Sequence, residues 1–190
     1  MKNFLRASLL AAALFVSAPA AFAADTYTID PAHTSVVWTI NHFGFSNPWG
    51  KFAQITGSLT LDEQAPQNSK VTVTVPMGNF LTGIDKLDEH LRSEAFFDVA
   101  KYPTATFAST KVTLTGKDTA TVDGTLTLHG VTKPVTLAVT LNKIGENMMN
   151  KKTAGFSATA TIKRSDFGIT SYLPNLGDDV KLYIESESNI

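Results

Sequence analysis

Residues 119–141 read TATVDGTLTLHGVTKPVTLAVTL, two runs of alternating apolar and polar residues joined at His129-Gly130. In an extended chain, successive side chains point to opposite faces. Ala120, Val122, Leu126 and Leu128 therefore share one face of a first strand, and Val135, Leu137, Val139 and Leu141 share one face of a second. Threonines fill the other faces. Two such runs joined by a short Gly-containing turn predict a β-hairpin with one dry side and one wet side.

The same Thr-interleaved pattern extends in both directions. Strands are predicted near 26–30, 33–42, 51–61, 70–79, 102–113, 119–128, 133–141, 153–163 and 179–187. Their apolar sets are Val36, Trp38 and Ile40; Ile55, Leu59 and Leu61; Val71, Val73 and Val75; Ala105 and Phe107; Phe156, Ala158, Ala160 and Ile162; and Val180, Leu182 and Ile184. Over 84–97, Ile84, Leu87, Leu91 and Ala95 recur at helical spacing, which predicts one helical insertion. Turn chemistry marks 62–69 and 115–118. Short connections favour antiparallel neighbours, so the expected fold is an all-β, up-and-down, eight-stranded antiparallel barrel.

Lys2 and Arg6, the apolar run 7–16 and Ala21-Phe22-Ala23 read as a secretory leader cleaved after Ala23. The apolar run is short for a bilayer span and is followed by Ser17 and Pro19. Residues 24–190 form the expected single domain, with no linker or low-complexity tract dividing them. Export predicts a periplasmic location. Without Lys2 and Arg6, 14 basic side chains face 17 acidic ones with no basic cluster, so nucleic acid is not an expected partner. The chain has no cysteine, which excludes disulfides, thiol catalysis and Cys-based metal sites.

Counting strand reversals assigns each connection to one end of the barrel. Loop 43–49, the insertion 80–101, the His129-Gly130 turn and loop 164–178 collect at one end, and mostly small turns at the other. Long loops on a rigid scaffold usually carry function. The loop-rich end is therefore expected to act as a lid, with Phe43, Phe45, Trp49, Leu173 and Leu176 presenting apolar surface. His42, His90, Arg92, His129, Arg164 and Asp166 fall in or beside that end, and His33 at the opposite one.

His90-Leu91-Arg92-Ser93 followed by Phe96-Phe97-Asp98, Tyr102-Pro103 and Thr106-Phe107 resembles the signature of the YceI family. The opening Asp30-Pro-Ala-His33-Thr-Ser35-Val, the segment from Gly124 through Gly130 to Pro134, and Arg164-Ser-Asp166-Phe-Gly-Ile169 resemble it in the same order. The resemblance spans nearly all of residues 24–190. It implies an exported, lipocalin-like barrel that holds a long isoprenoid-type or other lipid chain, with no catalytic activity and no required cofactor beyond the bound lipid or quinone.

The expected dimensions agree with that implication. A strand of ~9 residues rises about 30 Å, and a tilt of ~40° leaves roughly 23 Å along the barrel axis. At about 0.8 kcal/mol per buried methylene, a long chain binds without a strong head-group contact. The expected ligand-binding lining is Val36, Trp38, Ile40, His42, Ile55, Leu59, Val73, Val75, Leu91, Phe107, Val122, Leu126, Leu137, Phe156, Ala158, Ile162 and Leu182. His90 and Arg92 are the head-group candidates. Partners are a hydrophobic lipid and, transiently, a membrane, with the chain a monomer or homodimer.

Three alternatives compete with this reading. A filled core would make the chain an exported interaction or stress-related domain without ligand. An outer-membrane barrel would turn the alternation inside out, but aromatic girdles at both strand ends are missing. A hydrolase built on Ser35 with His33, or Ser93 with His90, lacks a Gly-x-Ser-x-Gly elbow. No His-x-His or His-x-x-x-His spacing marks a zinc site, so no metal is expected.

Overall fold

The computed structural model describes residues 24–190. Their elements are β1 (Asp25–Ile29), β2 (Ser35–His42), β3 (Trp49–Phe52), β4 (Thr56–Leu61), β5 (Lys70–Pro76), β6 (Phe80–Leu81), α1 (Asp85–Arg92), β7 (Thr104–Leu114), β8 (Thr119–Leu128), β9 (Val131–Glu146), β10 (Lys152–Lys163) and β11 (Leu176–Asn189). Antiparallel pairing runs from β4 through β5, β7, β8, β9 and β10 to β11. The free side of β11 pairs with β2 over Leu176↔His42 to Glu185↔Ser35 and with β1 at Ser188↔Ile29. β1 in turn pairs with β4, which closes the barrel. β1 with β2, β3 with β4, and β5 with β6 each lie end to end. Counting each pair as one strand gives the eight-stranded antiparallel barrel.

The hairpin forms in the register set by the alternation, from Leu128↔Val131 to Thr119↔Thr140. His129 (φ 52°) and Gly130 (φ 75°) both take left-handed backbone, the requirement of a two-residue type I′ turn. Along β9, Thr132, Thr136 and Thr140 are exposed while Val135, Leu137 and Val139 face in. That orientation is the reverse of a barrel whose apolar face meets lipid.

Several boundaries differ from the expected ones. The run 51–61 divides at 53–55, where Gln54 adopts φ 56° and breaks the ladder. β9 extends beyond 133–141 to Glu146, and its last residues pair with β10 across a bulge at Gly155/Phe156. The helix ends at Arg92 instead of 97. Ser93 leaves helical backbone and its hydroxyl donates to the His90 carbonyl. A continued helix would send Phe96 and Phe97 in different directions. The irregular 93–101 segment brings both against the core, with the Phe97 N–H donating to the Leu91 carbonyl.

Two apolar clusters support the wall. Trp38, Ile40, Phe52, Met77, Phe80, Leu91, Phe96, Ile169 and Leu176 pack at the end carrying α1. Tyr27, Leu59, Leu61 and Ala154 pack toward the opposite end. The strand directions place 43–48, 82–103, 129–130 and 164–175 at the first end, and 62–69, 115–118 and 147–151 at the second.

Candidate ligand-binding lumen

Inside the barrel lies a cavity of about 1030 Å³. Ligand pockets for drug-sized molecules span ~300–1000 Å³, so this one sits at the upper limit of that class. The interior is therefore not the filled core of the competing alternative. The lining contains every residue assigned to it from the alternation, from Val36 and Trp38 through Phe107 and Leu126 to Phe156, Ala158 and Leu182. Ala160, of the same phase, lies outside it. Two glycines make room for the large aromatics: a Cβ on Gly50 would collide with the Trp38 indole, and one on Gly124 with the Phe107 ring.

At the loop-rich end, His42 and His90 line the cavity. The His90 ring meets Phe96 edge-on with centroids 5.1 Å apart and lies 6.3 Å from Tyr172. Arg92, the other head-group candidate, is outside the lining. Its guanidinium sits 4.8 Å over the Phe80 ring and reaches the Gly78 carbonyl at 3.4 Å. The i, i+2 spacing that separates it from His90 turns it away around the helix. Leu176 is buried rather than presented at the surface, whereas Phe43, Trp49 and above all Phe45, 90% exposed, stand out from the rim.

Arg164 is the buried cation of this end, 4% exposed. It donates to three backbone carbonyls: Nε to Gly177, one terminal nitrogen to Ile169 and the other to Leu176, all at 2.8–2.9 Å. It thereby ties the 164–175 loop to the start of β11. Burial pulls its guanidinium below its ordinary pKa, opposed by the charge of Asp178. Burial also pushes Asp178 up, but hydrogen bonds from the Ser165 N–H and hydroxyl, with Lys163 and Arg164 nearby, hold it below the usual carboxylate range. His129 bonds the Phe167 carbonyl through Nδ1 at 3.0 Å and packs on Tyr102, so it fastens the β8–β9 turn to the same loop.

Among the described residues, neither His33 nor His90 is hydrogen-bonded to the serine near it in sequence. His33 Nδ1 lies 2.8 Å from Asp30 Oδ2, and Ser93 bonds a backbone carbonyl instead of the His90 imidazole. One grouping that the sequence spacing did not reveal is Asp30, His33 and Glu187, whose ligand-capable atoms lie within 4.8 Å of one another. Glu187 reaches it from β11 through barrel closure. The Asp30 hydrogen bond is the main cause that raises the His33 pKa, and the same bond lowers that of Asp30.

The cavity also reaches the short-turn end, which the loop lengths had not marked. Glu63, Ser69 and Lys70 line it from the β4–β5 connection and the start of β5, and Lys117, Asp118 and Thr119 from the β7–β8 connection and the start of β8. Inward-facing Leu114 is 48% exposed there. Leu114 is out of phase with inward Ala105 and Phe107 and faces in only because a bulge between Ser109 and Lys111 shifts the register of β7, and only the tertiary path of loop 62–69 brings Glu63 and Ser69 to the rim.

The YceI-like domain model matches residues 27–188, almost all of the described chain. This chain belongs to the YceI-like family. A UPF0312 protein of Pseudomonas aeruginosa is 42% identical over 189 residues, covering 98% of this chain and 97% of its own. Among solved structures, BcnA of Burkholderia cenocepacia superposes with a TM-score of 0.76 at 23% identity, over 84% of this chain and 98% of its own. A polyisoprenoid binding domain from Saccharophagus degradans gives 0.68 at 16% identity, over 86% and 97%. These two structures share the barrel with this YceI-like chain.

Proposed function

We propose that this protein is a non-enzymatic periplasmic carrier that holds a long isoprenoid-type lipid, of the polyisoprenoid, isoprenoid quinone or fatty-chain class, in its barrel. The observation that carries the proposal is the apolar cavity of about 1030 Å³ running along the barrel interior. Membership of the YceI-like family and the fold shared with a domain described as polyisoprenoid-binding support it. Transfer of apolar chain surface from water into such a lumen supplies the affinity. The leader is proposed to direct export and to be cleaved after Ala23, and transient membrane contact to exchange the lipid.

Organic extraction of the purified exported protein, followed by mass spectrometry, should recover a long-chain lipid in near-stoichiometric amount. Ala158→Trp adds a large ring where the wall of β10 faces the cavity. It should sharply lower the recovered lipid while circular dichroism retains the barrel signature, at an overpacking cost of about 1–3 kcal/mol. Undiminished recovery from a folded Ala158→Trp protein would overturn the lumen as the binding site.

A further inference from the structure

We infer that Asp30, His33 and Glu187 form a site for one transition-metal ion of the zinc class, on the outer wall where the barrel closes. Their ligand-capable atoms all lie within 4.8 Å of one another, although Glu187 arrives from the far end of the chain. The backbone builds this convergence. Residues 30–34 form the bend between β1 and β2. Glu187 lies on β11 between the rungs Glu185↔Ser35 and Ser188↔Ile29, where β11 changes partner from β2 to β1. The Asp30 N–H donates to the Glu187 carbonyl at 2.9 Å. The hydroxyl of buried Thr34 donates to the same carbonyl and accepts the Glu187 N–H. Because Ile184 and Ser186 line the lumen, Glu187 has the outward phase of Glu185 and stands on the same side of the wall as exposed His33.

Charge and geometry both point to a cation. Among the described residues, neither carboxylate pairs with a Lys or Arg. Lys143, which shares a rung with Glu187 across Gly155, makes no ion pair with it. Two carboxylates this close repel each other, and a cation between them converts the repulsion into attraction. His33 Nδ1 and Asp30 Oδ2 are 2.8 Å apart, near the ~3.3 Å edge that two ligands span on a tetrahedral ion with bonds of ~2.0–2.2 Å. A metal ion can therefore take the place of the proton between them, the neutral ring keeping its own proton on Nε2. From at most 4.8 Å, the Glu187 carboxylate has to close by no more than about 1.5 Å, within reach of its side-chain torsions. One imidazole nitrogen with two carboxylates suits zinc and its first-row neighbours, whereas calcium and magnesium favour oxygen alone. Water completes the shell. The ion ties the β1–β2 bend to β11 from outside the wall, so the site does not depend on what the lumen holds.

The test uses the purified exported protein, stripped with EDTA and desalted. Zinc chloride is titrated by calorimetry, with calcium and magnesium chloride in parallel. A single zinc ion should bind per chain, and neither of the other ions should give a comparable isotherm. Glu187→Gln and His33→Gln, each shown to be folded by circular dichroism, should weaken zinc binding by about ten-fold or more. Glu187→Gln leaves the Asp30–His33 bond of the bend in place, so its effect separates coordination from damage to the bend. His42→Gln combined with His90→Gln, whose imidazoles lie at the loop-rich end of the lumen, should leave the zinc isotherm unchanged. In the parent, the first equivalent of zinc should shift the His33 imidazole resonances before those of any other histidine. With zinc ~100-fold above its dissociation constant, the parent Tm should rise by about 5–10 °C, and that of Glu187→Gln by much less. A parent that binds no zinc, zinc binding that survives both Glu187→Gln and His33→Gln, or a loss confined to the His42/His90 variant would each overturn the inference. Should either variant fail to fold, the His33 resonances of the parent decide it, since zinc that leaves them unmoved is bound elsewhere.

Discussion

Gly124 has no side chain because Phe107 occupies the space: a methyl group there would meet the ring and the Ala108 carbonyl. Gly124→Ala must displace an aromatic that lines the cavity, and should lower stability by about 1–3 kcal/mol in a denaturant titration. His33 makes a different kind of residue-level contribution. Its imidazolium is favoured by the Asp30 hydrogen bond, so its titration midpoint should lie above the ordinary 6.5. Asp30 is favoured in its charged form and should titrate below 3.8. The raised His33 contributes fully below 6.5 and loses its contribution as pH rises through its folded midpoint. The lowered Asp30 contributes above 3.8 and loses its contribution as pH falls through its own. The pair therefore supports the β1–β2 bend most between those limits. An NMR titration of His33 should show the raised midpoint, and Asp30→Asn should return it toward 6.5.

At the scale of elements, the β8–β9 hairpin follows from alternation and turn chemistry, both local and both readable from residues 119–141. His129 was legible as a turn residue, but its bond to the Phe167 carbonyl depends on a segment 38 positions away. His129→Asn keeps a residue suited to left-handed backbone while removing the imidazole from Tyr102 and Phe167. The expected cost is about 1 kcal/mol, read as a Tm lower by roughly 2–4 °C. An unchanged Tm would mean that the turn conformation alone fixes this corner. The lumen was legible for the same reason as the hairpin, since phase along a strand decides which side chains face in. The helix end was not, because Ser93 competes for the backbone and two adjacent phenylalanines both find places in the core. Nor was the role of Arg92, whose partner Phe80 is brought beneath it only by the path of the insertion.

At the scale of the whole molecule, the barrel is a tunnel with unlike ends, one packed beneath α1 and one bordered by short turns. Sequence spacing directed attention to the long loops, yet the half-exposed Leu114 of the cavity lining lies at the opposite end. The β9–β10 connection adds Met148 and Met149 to that end, both highly exposed. Apolar side chains interspersed with lysines suit brief contact with an anionic bilayer surface. If the tail enters there, Leu114→Asn combined with Met149→Ser should slow lipid transfer between protein and anionic vesicles several-fold. Phe45→Ser with Trp49→Ser, at the loop-rich rim, should change it little despite the greater aromatic surface removed. A transfer assay with a fluorescent long-chain lipid distinguishes the two, and the opposite ranking would assign exchange to the loop-rich end.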